Sequence, residues 1–205
     1  MFGLLFVCGW LLMTIAMMLP TSIPLLVVFH SMLRARANWP LLISLAVFGY
    51  IAAWLVFGIA AYAATIEITH AADHLTWIHI EPWAITAGIL LLAGLYQFSP
   101  LKYRCLEKCR SLFSFIAGHW HGRHERAEAF TLGVSHGAFC VGCCWALMLL
   151  MIPIGAGNLS WMLMLAVVMA VEKNLNGGKL IAKPLGAALV TLALFVAFQG
   201  TATSI

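Results

Sequence analysis

Five of the six cysteines fall in two clusters whose spacing suits ligation of a soft metal. Cys105 and Cys109 are four apart, so on a helix their thiols stack on one face. Lys102, Arg104, Lys108 and Arg110 surround them, and nearby positive charge favours the thiolate that binds metal. The second cluster is His136, Cys140, Cys143 and Cys144, at offsets of four, seven and eight, which share one helical face. Met148 stands four residues beyond Cys144. Thiolate, thioether and imidazole donors together favour Cu(I) or Zn(II). A four-thiolate set suits zinc, and two or three thiolates with methionine nearby suit copper, so ligand type leaves both metals open. Packing is the competing explanation for each pair, because buried cysteine is also a small hydrophobe. Cys8 stands alone and reads as core.

Other residues extend this chemistry. Met13, Met17 and Met18 precede Pro20 on neighbouring helical positions, a thioether face that can hand on Cu(I) or simply pack. Glu172 and Lys173 end an apolar run, and Glu172 is a further candidate ligand or path residue. Glu67, His70, Asp73, His74, His79 and Glu81 form an acidic, histidine-bearing stretch that reads first as a solvated loop. His119, His121 and His124 read the same way. No nucleophile–base pair and no helical His-Glu-x-x-His pattern occurs, so no enzymatic reaction is legible.

The elements that hold these residues are apolar helices. The 205-residue chain is 63% hydrophobic and only 9% charged. Soluble domains carry about 25% charged residues, so lipid must cover much of this surface. The expected fold is all-α: a polytopic transmembrane helix bundle of about six spans, one domain over residues 1–205, with a cytoplasmic loop at about 102–128. The first apolar run, Phe2 to Leu33, would measure roughly 48 Å as one straight helix, and Pro20 and Pro24 predict a break within it. No cleavable leader is evident. Further spans are expected at Trp39–Ile66, Pro82–Leu101, Phe130–Ile152, Leu159–Lys173 and from Pro184 onward, with Pro153, Gly155, Gly157 and Asn158 marking a turn. Gly133, Gly137 and Gly142 leave room for another helix to approach.

Basic residues set the expected orientation. All eleven fall in alternate connections: Arg34 and Arg36; Lys102, Arg104, Lys108, Arg110, Arg123 and Arg126; Lys173, Lys179 and Lys183. By the positive-inside rule these face the cytoplasm and both termini lie outside it. The net charge of +4 is therefore a topology signal, and no nucleic-acid stripe is present.

The stretches Ala16-Met17-Met18-Leu19-Pro20, Tyr96-Gln97-Phe98-Ser99-Pro100-Leu101-Lys102 leading to Cys105, Cys109 and Arg110, and His136-Gly137 leading to Cys140, Gly142, Cys143, Cys144, Trp145, Leu147 and Met148 resemble a bacterial family of unknown function. Its members are described as predicted metal-binding integral membrane proteins. Glu172-Lys173 also fits its pattern, and the likeness runs from about Trp10 to Lys173. Leu112 stands where that family commonly has proline. The resemblance implies an inner-membrane protein with cysteine ligands, lipid around it, and no particular reaction. Three roles follow as expectations: soft-metal handling or delivery to a metalloenzyme or metallochaperone partner, a membrane thiol oxidoreductase, or an assembly subunit for a membrane metalloenzyme. A homo-oligomer is compatible with each.

Overall fold

The prolines break the first apolar run where the sequence predicts. In a computed structural model describing residues 2–74, 82–151, 158–174 and 178–203, α1 (Phe2–Met18) is followed by a 3₁₀ turn (Pro20–Ser22) and α2 (Ile23–Leu33). Pro20 and Pro24 have no N–H to continue the ladder, and the two helices bend by 42°.

α3 (Trp39–His74) outruns its expected end at Ile66. Neither glycine nor proline stands between Gly58 and Pro82 to stop it, so Glu67 and His70 sit on helix rather than loop. α4 (Pro82–Tyr96) and α5 (Pro100–Arg110) meet at a 63° bend around Ser99 and Pro100. α6 (Leu112–His119) and α7 (Glu125–Leu149) follow, then α8 (Leu159–Asn174) and α9 (Gly178–Thr203), which continues through Pro184. Most of the expected loop at 102–128 is thus helical. Trp77, His79, Glu81, Pro153, Gly155 and Gly157 lie outside the described residues.

The fold is all-α. Among the described residues three helices are long and apolar enough to cross a membrane, or up to five if each bent pair is one span. α8 is the apolar segment that falls short: its 16 residues extend about 24 Å, against a hydrocarbon core of about 30 Å. The helices leave large apolar side chains such as Phe48, Val56, Phe195 and Phe198 exposed, a surface suited to lipid rather than water.

The chain divides into two compact units. Unit 1 comprises Met1–Ile68 and Cys105–Cys143; unit 2 comprises Thr69–Arg104 and Cys144–Ile205. In unit 1, Phe29 and Leu33 of α2, Leu42 and Ala46 of α3, Phe115 and Ile116 of α6 and Leu132 of α7 form a common core. One end of that unit is tied by polar contacts. Arg36 pairs with Glu125 and lies over the Trp120 ring, and Asn38 donates to Glu125 at 2.8 Å. The Glu128 carboxylate accepts backbone N–H groups from His121 and Gly122 at 2.7 Å, Arg123 at 3.2 Å and His124 at 3.1 Å. Four donors on one anion hold this turn in place just before α7. In unit 2, α9 packs on α4 and α8, and Tyr96 meets Trp145 edge to face at 5.0 Å.

Candidate metal centre

Within unit 1, Cys105 meets α7 between Cys140 and Cys143. A Cβ placed on Gly142 would lie only 2.7 Å from Cys105 Sγ. The thiol from α5 therefore sits against the backbone of α7, at the residue before Cys143. Cys143 donates to the Cys140 carbonyl at 3.1 Å, the back-bond that a thiol three residues on makes to the preceding turn. All six cysteines are thiols, and Cys105, Cys109, Cys140 and Cys143 are buried.

Aromatic rings fix the other side of this cluster. The Tyr50 hydroxyl of α3 lies 3.0 Å from Cys140 Sγ. Its ring is tilted against His136 at 5.8 Å, and Phe115 of α6 meets the same imidazole edge-on at 5.7 Å. α3 comes this close because α7 presents Gly133 to the Ala46 carbonyl, where any Cβ would overlap the oxygen. Small residues thus bring α3 and α7 together one helical turn from His136.

Among the described residues, no three or more His, Cys, Asp or Glu side chains are gathered so that they could hold one ion. Cys105 Sγ nevertheless lies against Gly142, the residue before Cys143, and thiolates are donors that fit a soft ion. Met18 reaches the cluster through its backbone: its carbonyl oxygen accepts from the Tyr50 hydroxyl at 3.3 Å. Met17 is buried in α1. Cys8, expected as core, is exposed. α1 is apolar all round, so the pattern of its residues does not mark a buried face.

Cys144, Met148 and Glu172 belong to unit 2, and all three are buried. There Glu172 is engaged by Lys102, whose ammonium donates to its two oxygens at 3.0 and 2.8 Å. Lys102 also donates to Gln97 Oε1. Lys102 is thus not a solvated neighbour of the Cys105–Cys109 pair but half of a buried ion pair. Gln97 is buried, and Tyr96 is half-buried against Trp145. Tyr50 carries no sequence signal, because a lone tyrosine in an apolar helix reads as packing.

The Gly142 contact gives a direct test. Gly142→Ala keeps α7 helical, since alanine is the better helix former, but displaces Cys105 Sγ. Maleimide labelling of Cys105, read on its peptide by mass spectrometry, is expected to quicken severalfold with helix content unchanged. An unaltered labelling rate would show that the thiol does not depend on this seat.

No curated protein and no solved structure matches the chain. A family model described as a copper chaperone, PpoB2, matches residues 7–196.

Proposed function

The chain belongs to the PpoB2 copper chaperone family, and on that footing we propose that it is an integral membrane protein carrying Cu(I) as cargo on two thiolates drawn from Cys105, Cys140 and Cys143. The observation that carries this reading is the seating of Cys105 Sγ on Gly142, the residue before Cys143. It joins the two cysteine clusters that lie far apart in sequence. Thiolates suit Cu(I) and Zn(II) alike, but few sulfurs suffice for Cu(I), whereas structural zinc asks for four ligands.

Cys109 and His136 are the further candidate donors in unit 1. His136 is an ionisable group in an apolar helix, held between Tyr50 and Phe115, a placement that marks function more often than packing. Met17 and Met18 provide thioethers toward α1. Each thiol that takes copper exchanges its S–H bond for an S–Cu bond and releases a proton. A carrier must then surrender the ion, and a partner metalloenzyme is the recipient we propose.

The same reading places the cysteines toward the cytoplasmic side of a bacterial inner membrane with both termini outside. The ion pair of Arg36 with Glu125 supports it, because it ties together two of the basic connections that the positive-inside rule puts on one side. A membrane thiol oxidoreductase is disfavoured by burial: Cys140 and Cys143 are 0% and 2% exposed, and disulfide exchange needs access to sulfur.

Protein purified anaerobically in detergent and loaded with Cu(I) is expected to retain stoichiometric copper by elemental mass spectrometry. The Cys140→Ser/Cys143→Ser variant is expected to lose nearly all of it. Copper retained equally by the variant would place the ligands elsewhere; none in either protein would overturn the reading.

A further inference from the structure

The Met18 carbonyl is where the first helix breaks, and it is crowded with hydroxyl donors. In a continuous helix the Ser22 N–H would serve it; here that N–H donates to Leu19 O at 3.0 Å. Thr21 Oγ1 donates to the Met18 carbonyl at 2.8 Å, Ser22 Oγ at 3.4 Å and Tyr50 at 3.3 Å. A carbonyl oxygen has two lone pairs, so three hydroxyls exceed what it can bind well. Thr21 and Ser22 are local to the turn. Tyr50 comes from α3, and its hydroxyl has a second partner in Cys140 Sγ at 3.0 Å.

We infer that Tyr50 is a positioning residue of the copper site, holding the Cys140 sulfur and linking it through one hydroxyl to the Met18 carbonyl, so that loading of Cys140 is felt at the helix break. This rests on the copper reading above. A hydroxyl has one hydrogen to give. While Cys140 keeps its S–H, that thiol can donate to Tyr50, and Tyr50 donates to Met18. A sulfur bound to copper carries no hydrogen and only accepts. The Tyr50 hydrogen then turns to sulfur, and the Met18 carbonyl keeps Thr21 and Ser22. In the coordination step the S–H bond is replaced by S–Cu, the proton passes to solvent and no electron moves.

A cavity beside the break is lined by Leu19, Ser22, Leu25, Tyr50, Gly133 and His136, so the turn and the site share one space. Outer contacts of this kind orient ligands and commonly change metal affinity by about 10- to 100-fold when removed.

The test is Tyr50→Phe, which keeps the ring against His136 and removes only the hydroxyl. Tyr62→Phe, whose ring packs on Phe6, controls for loss of a phenol. Cu(I) affinity, measured in detergent by competition with a chromophoric chelator, is expected to fall about tenfold or more in Tyr50→Phe alone. Hydrogen exchange of the Leu19–Ser22 segment is expected to change on copper loading in the wild type. It is expected to stay constant in Tyr50→Phe loaded at higher copper. Matching thermal melts of the two variants establish that both fold. Wild-type affinity in Tyr50→Phe, or a copper response at the break that survives the substitution, overturns this inference and leaves the copper reading standing. Failure of the wild type to take copper overturns both.

Discussion

Replacing Glu172 with glutamine is expected to destabilise the protein by about 3–5 kcal/mol, because it strands the Lys102 ammonium as a buried charge without its counter-ion. The pair has nowhere to find water: the side chains of Lys102 and Glu172 are 1% and 3% exposed. Gln97 Oε1 supplies one neutral acceptor for the ammonium, and one such bond does not replace a carboxylate bound through both oxygens. Lys102→Met should cost a similar amount by removing the cation bound to both carboxylate oxygens. Lys102→Met/Glu172→Met, which removes both charges, is expected to recover most of the loss. Thermal unfolding in detergent of the singles and the double variant closes the cycle. Additive losses would mean that each residue acts through contacts other than this pair.

That ion pair also shows where the sequence stops being legible. Lys102 and Glu172 are 70 residues apart, and nothing local at either position announces the other. Lys102 stands among Arg104, Lys108 and Arg110, so it reads as one of a basic loop. The structure instead winds this stretch into α5, a helix whose four- and three-residue spacings put Lys102, Leu106 and Cys109 inward. A helix with both a buried and a charged face looks like loop composition when only its charges are counted. Features that depend on nearby residues were readable: the break at Pro20, the helical stacking of Cys105 with Cys109, and the row from His136 to Cys144. Which face of α1 is buried was not, because apolar residues surround the whole helix. Nor was Tyr50, whose importance lies entirely in what α7 and the α1 break bring to its hydroxyl.

Gly133→Leu is expected to disrupt unit 1 more severely than any other glycine substitution in α7. At Gly142 an added Cβ meets the end of a cysteine side chain, which can swing away. At Gly133 it meets the Ala46 carbonyl and Cα, which are backbone atoms of a packed helix. Gly49 makes the matching approach from α3, where a Cβ would overlap the Phe130 carbonyl. Neither helix can relieve the clash by a rotamer change, so the helices must separate. Overpacking of this kind costs about 1–3 kcal/mol where side chains can adjust, and more where backbone must move. A drop of about 3 kcal/mol or more in unfolding free energy is therefore expected. Gly9→Ala is the contrast: nothing lies within 4 Å of a Cβ there, and helix propensity alone favours alanine by about 1 kcal/mol. The separation should also reach the candidate site, because Tyr50 and Cys140 stay 3.0 Å apart only while α3 and α7 touch. Cys140, fully buried in the native fold, should then become open to maleimide under conditions where the wild type is protected. If Gly133→Leu melts like the wild type and Cys140 stays shielded, the close approach of α3 and α7 is not what holds the sulfur in place.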